Sequence, residues 1–123
     1  MKNYFYLGIS LALFLGSHGS ASAAADAARG QALYKTMCVA CHSIDYNGVG
    51  PAHKGMFGKK AGTRPDYVYS TAVKASSIVW TDKTLDKWLA NPEKLIPGQK
   101  MGFMVLAAKD RADLIAYLKK EAG

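Results

Sequence analysis

Five consecutive residues, Cys38-Val39-Ala40-Cys41-His42, constrain this chain more than anything else in it. Three chemistries use two cysteines spaced this way. A redox disulfide wants a βαβ setting, and the chain lacks one. A zinc site needs four ligands, but these are the chain's 2 cysteines, and beyond the N-terminal stretch only His42 and His53 supply imidazoles. Covalent attachment of a c-type haem uses Cys-x-x-Cys-His as its signature. On a helix, residues three and four apart share a face. Both thiols can therefore reach the two vinyl edges of one porphyrin, while His42 offers a ring nitrogen to the iron.

The N-terminus reads as a secretory signal. Lys2 gives a positive start, Tyr4 to Gly16 is an uncharged apolar run, and small residues follow from Ser17 to Ala25. The apolar run is shorter than the roughly 20 residues of a spanning helix, so an uncleaved anchor is the weaker reading and no stable membrane insertion is expected. Cleavage after Ala23 or Ala25 is expected, leaving residues 26–123 as one domain. The cleavage region holds no cysteine, which excludes a lipoprotein. Export to the periplasm agrees with the pentapeptide, because bacterial haem attachment takes place outside the cytoplasmic membrane. About 100 residues are marginal for a self-sufficient core, and a covalently held haem would supply an apolar centre.

Charge narrows the partners. The chain carries 16 Lys and Arg against 9 Asp and Glu, a net +7. Losing Lys2 with the signal leaves 15 against 9, or +6, before haem propionates are counted. Such a balance serves solubility, and it also steers association with an acidic surface. Nucleic acid is excluded as a partner by the absence of any binding motif and by export.

Three helices are legible. Asp26 to about Ala40 brings Leu33, Tyr34, Met37 and Cys38 to helical spacing without a proline. Thr81 can cap a helix from about Asp82 to Ala90, whose inner face holds Leu85, Trp88 and Leu89 and which Pro92 closes. The last runs from about Lys109 to Lys120, with Asp110 near its start and Lys119 and Lys120 near its end, as the helix dipole prefers. Between them, His42 to Thr63 is rich in glycine, and Asn91 to about Ala107 is broken by Pro97, Gly98 and Gly102. Asp66 to Tyr69 and Ser77 to Trp80 are too short to count as strands. The class is all-α, with long loops that would wrap a prosthetic group, since structureless loops beyond about 12 residues are uncommon unless functional.

Over roughly Gly30 to Lys120 the chain resembles class I cytochrome c, in its mitochondrial-like branch. The likeness rests on Cys38-Val39-Ala40-Cys41-His42, on Gly50-Pro51 with Gly55-Met56-Phe57-Gly58-Lys59-Lys60, and on Asn91-Pro92-Glu93-Lys94-Leu95-Ile96-Pro97-Gly98-Gln99-Lys100-Met101. A weaker block is Asp113-Leu114-Ile115-Ala116-Tyr117-Leu118. The resemblance implies the cytochrome c fold, three main helices and long loops round one covalent haem c bound by Cys38 and Cys41, with His42 as proximal ligand. It makes Met101 the distal ligand, where the residues alone leave Met56 and Met104 open; a thioether favours ferrous iron and raises the potential. It gives the Pro51 carbonyl to the other ring N–H of His42, and sets Tyr69 and Trp80 against a haem propionate. Gly30 and Tyr34 would cross Leu114 and Tyr117 where the terminal helices meet. Three positions depart from the family. Trp88 replaces a tyrosine whose hydroxyl points at the methionine sulfur. Lys59 replaces an arginine near a propionate. His53 stands where leucine or an aromatic packs on the haem, either as a partly exposed packing residue or as a titrating group beside the haem.

The function so implied is a soluble, monomeric electron carrier and not an enzyme, since both axial positions of the iron are filled. Lysines such as Lys35, Lys54, Lys94 and Lys100 would ring the haem edge and dock redox proteins of a respiratory chain or a dehydrogenase through acidic surfaces. The rivals are a fixed haem subunit of a dehydrogenase or oxidase complex and, further off, a peroxidatic haem protein from which Met101 detaches.

Overall fold

The computed structural model describes residues 23–123, so residues 1–22 of the expected signal lie outside the described part. Helix α1 spans Ala27–Met37, and Asp26 caps it by accepting the N–H groups of Ala28 and Arg29 on its side chain. Short α2 is Thr71–Ala75, α3 is Asp82–Ala90, the single turn α4 is Pro92–Leu95, and α5 is Ala108–Ala122. Among the described residues no strand forms beyond one isolated antiparallel bridge between Lys60 and Val79. No helix there is long and apolar enough to cross a membrane.

The frame is the crossing of α1 and α5. Gly30 makes it possible: a Cβ at this position would run into the backbone carbonyl of Asp113 and sit 2.9 Å from the Tyr117 Cβ. Tyr34, Val105, Leu114, Tyr117 and Leu118 form the core around this contact, with the rings of Tyr34 and Tyr117 5.2 Å apart. The crossing carries one fully buried carboxylate, Asp113. It accepts from the Asp26 N–H at 2.7 Å, Arg29 at 2.6 Å and Lys109 at 2.5 Å. Lys109, then the Asp26 N–H, then Arg29 hold this carboxyl well below the usual carboxylate range.

A second, smaller core of Ala61, Val73 and Ile96 lies among the loops, flanked by Tyr69, Trp80 and Trp88.

The three long helices match the expected ones, with shifted ends. Helix α1 stops at Met37, short of Ala40, and the chain passes into a turn through Cys38. Two short helices add to the expected elements. Helix α4 interrupts the run from Asn91 to Ala107, because the Asn91 side chain accepts the Lys94 N–H and Pro92 presets the first helical residue. In α2 the Ser70 side chain caps a five-residue Thr-Ala stretch by accepting the Val73 N–H. The bridge from Lys60 to Val79 falls within a segment too short to read as a strand; Trp80 donates to the Lys59 carbonyl and Ala61 to that of Ile78, at 2.9 and 2.7 Å.

Candidate functional site

The pentapeptide forms one turn beyond α1. Cys41 and His42 both donate their N–H to the carbonyl of Cys38, at 3.0 and 2.8 Å. That is the single helical turn the spacing predicts, and it sets both thiols and the His42 ring along the wall of a cavity of about 1010 Å³. Burial pushes the Cys38 thiol up to about 11, with Cys41 adding to the shift.

His42 is oriented by its backbone neighbours. Its Nδ1 lies 2.8 Å from the Pro51 carbonyl, so it carries the proton and donates, and Nε2 is the ring atom left to bind a metal. Met101 lines the same cavity. The turn leading to it is built locally: Glu93 accepts from the Gly98 N–H at 2.9 Å and the Gln99 amide at 3.2 Å, and Gln99 in turn accepts the Met101 N–H at 2.5 Å. Pro51, Lys59, Tyr69, Trp80 and Trp88 all line the cavity too. Trp88 meets Trp80 edge to face, ring centres 5.5 Å apart. Burial raises the Tyr69 hydroxyl above its ordinary range.

Of the lysines expected at the rim, Lys54 and Lys100 border the cavity and Lys35 and Lys94 do not; Lys60 and Arg64, not foreseen there, do. Lys54 pairs with Asp45 at 3.0 Å, both exposed.

Three further groups at the cavity loops carry almost no local signal in the sequence. Asn47 ties two loops, accepting the Ala52 N–H at 2.8 Å and donating to the Asp66 carbonyl at 2.9 Å. Tyr67 donates to the Val49 carbonyl at 2.6 Å, closing the same loop pair. Arg64 donates to the Lys54 carbonyl at 2.6 Å. An Asn beside glycines is the turn signal that could have marked the first; nothing local marks the others.

His53 is half-buried and stacks on His42, ring centres 4.4 Å apart and planes 23° from parallel. Its Nδ1 lies 2.9 Å from the Tyr34 hydroxyl. Burial, then His42, then Arg64 lower its pKa to about 3. Of the two expectations for His53, the packed residue matches; the ring is neutral where a histidine ordinarily titrates.

The sequence model of the family described as Cytochrome c matches residues 27–121. The chain belongs to the class I cytochrome c family. Cytochrome c of Euglena viridis is 47% identical over 97 residues, covering 76% of this chain and 95% of that protein. Cytochrome c2 of Rhodomicrobium vannielii is 44% identical over 108 residues, covering 85% and 86%. The solved structure of cytochrome cH from Methylobacterium extorquens superposes with a TM-score of 0.74 at 44% identity, covering 77% of this chain and 98% of that one. As a class I cytochrome c the chain carries one covalently attached haem c and is an electron carrier rather than an enzyme. The cavity fits that cofactor on its own chemistry. Val73, Leu85, Val105, Leu114 and Leu118 give it apolar walls for a flat macrocycle, and Lys59, Lys60 and Arg64 offer cations for propionates.

Proposed function

We propose that this cytochrome c is an exported, periplasmic carrier of single electrons between redox proteins with acidic docking faces. Cys38 and Cys41 would hold the haem as thioethers, and His42 and Met101 would ligate its iron. One observation carries the reading: the His42 ring, its Nδ1 committed to Pro51, stands in a single apolar cavity with both cysteines and Met101. The bound haem supplies a one-electron centre that alternates between ferric and ferrous iron.

The chain's own residues do the rest. Pro51 fixes the tautomer of His42 and raises its donor strength. The hydrogen-bonded turn from Glu93 to Met101 holds the thioether in place, which favours the ferrous state. Trp88, an N–H donor that accepts no hydrogen bond, packs against Trp80 on the cavity wall. Tyr69, Trp80 and Lys59, which line the cavity, would receive the propionates. Lys100, Lys54 and Lys60 at the cavity border meet an acidic partner through a small, weak interface, as transient redox encounters do.

The test is Met101→Ala. The ferric parent protein shows the weak near-infrared band of sulfur–iron coordination; the variant loses it, and its reduction potential falls. Survival of the band would move the ligand to Met56 or Met104. Intact mass after acid–acetone extraction checks attachment and export together: the haem stays on the chain, and the chain starts at Ala24 or Asp26.

A further inference from the structure

We propose that His53 is a positioning residue for the iron-binding imidazole: stacked on His42 and tethered to Tyr34, it fixes the plane of that ring. The proposal rests on the reading of His42 as the proximal ligand and adds a residue that this reading does not use.

The hydrogen bond from His42 to Pro51, at 2.8 Å, fixes one atom of the imidazole and the direction in which it points. A ring held at one atom can still swivel about that bond. Two groups take the swivel away. Gly50 lies so close that a Cβ there would collide with the His42 ring, 2.6 Å from both of its nitrogens. The other group is the flat face of His53, 4.4 Å away and nearly parallel.

His53 is itself mounted firmly. Its N–H donates to the carbonyl of Ser43, the residue after His42, at 3.0 Å. Its Nδ1 meets the Tyr34 hydroxyl at 2.9 Å. A phenol is a stronger acid than an imidazole N–H, so the hydroxyl donates and the ring nitrogen accepts. Tyr34, 3% exposed, is locked in the crossing of α1 and α5 against Tyr117. The plane of the iron-facing ring is thus referred, through two side chains, to the buried core of the α1–α5 crossing. An aliphatic residue at position 53 would fill the space, but it would offer no flat face and would leave the Tyr34 hydroxyl without its acceptor.

The plane has an electronic consequence. Low-spin ferric iron holds its unpaired electron in an orbital of π symmetry whose direction follows the axial imidazole, so the plane decides which haem methyl groups carry most spin density. Proton NMR of the ferric holo-protein reads this as the order and spread of the methyl signals. His53→Leu keeps apolar bulk without a flat face; His53→Phe keeps the face without the tether. The expected result is a changed methyl order or spread in the leucine variant and a pattern close to the parent's in the phenylalanine variant. A leucine variant with the parent's pattern, or a phenylalanine variant displaced as far as leucine, overturns the proposal, because lost packing alone would lower Tm without turning the ring. Should the leucine variant not accumulate as holo-protein, His53→Gln decides, since it keeps an acceptor for the Tyr34 hydroxyl but no aromatic face: a displaced pattern supports the proposal and an unmoved one overturns it. A parent protein without the low-spin signal of a bound imidazole would instead overturn the ligand assignment, and the proposal with it.

Discussion

The α1–α5 crossing and the loop-built wall of the cavity solve the same problem in opposite ways. The crossing is built from the chain's own groups: Tyr34, Leu114, Tyr117 and Leu118 pack on one another, Leu114 and Leu118 reaching the cavity as well, and Asp113 is met by three donors. The wall, from Ser43 to Ala107, has only Ala61, Val73 and Ile96 as a buried cluster of its own, with half-buried aromatics aligned along an open volume. Its residues are arranged to touch something that the polypeptide does not supply. A small chain can thus spend its own apolar surface on one rigid joint and leave the other core to a covalent prosthetic group.

The joint is where a single change does most harm. Gly30→Val would drive side-chain carbon into the Asp113 backbone, which cannot move without parting the helices. Overpacking ordinarily costs about 1–3 kcal/mol; with backbone as the obstacle, the expected loss lies at or above the top of that range, read as a collapse of Tm or a failure to accumulate. A variant as stable as the parent would show that the joint is softer than its geometry.

Asp113→Asn comes next, and it separates packing from charge. The Asp113 carboxyl titrates below its unfolded value of about 3.9. It therefore stabilises the fold fully above that pH, and the contribution is lost as pH falls toward the depressed folded value. The asparagine variant should be less stable at pH 7, leaving Arg29 and Lys109 without their shared anion, while the difference from the parent narrows in acid. Denaturant midpoints measured from pH 7 to pH 3 test this, and a constant difference would remove Asp113 from the account.

The smallest effect is expected at the wall's exposed rim. Lys100→Glu should leave Tm and reduction potential nearly unchanged and slow association with an acidic redox partner, flattening the fall of that rate with salt, because rim charges act on encounter and are screened beyond about 8 Å at physiological ionic strength. A rate indifferent to salt in the parent would favour the fixed-subunit reading.

What could be read in the sequence divides along the same line. The crossing lay open to it: periodicity gave α1 and α5, and the resemblance paired Gly30 and Tyr34 with Leu114 and Tyr117. Each wall ligand had a local motif, the pentapeptide for His42 and the Ile96-to-Met101 run for Met101. The partnership of Tyr34 with His53 was hidden, because the two lie 19 positions apart, on opposite sides of the pentapeptide turn, and hydrogen-bond through their side chains. Helices α2 and α4 escaped notice because five and four residues show no period, and their existence depends on the caps at Ser70 and Asn91. The burial of Asp113 escaped for a similar reason: an aspartate in a charged helix looks solvated until its three donors converge.

The segment that follows the pentapeptide has a consequence for how this protein can change in length over evolution. Surface loops normally absorb insertions and deletions freely. Here the N–H groups of Gly48, Gly50, Ala52, His53 and Lys54 are each taken by a fixed partner: the Gly50 carbonyl, the Cys41 carbonyl, the Asn47 side chain, and the carbonyls of Ser43 and Ile44. One added residue in this stretch would shift the register of the bonds after it, and one added before Pro51 would carry Pro51 away from His42. Variation in length is therefore expected to collect elsewhere, and residues 47–54 to behave, despite Gly48, Gly50 and Pro51, as a segment whose residue count is as fixed as that of a helix.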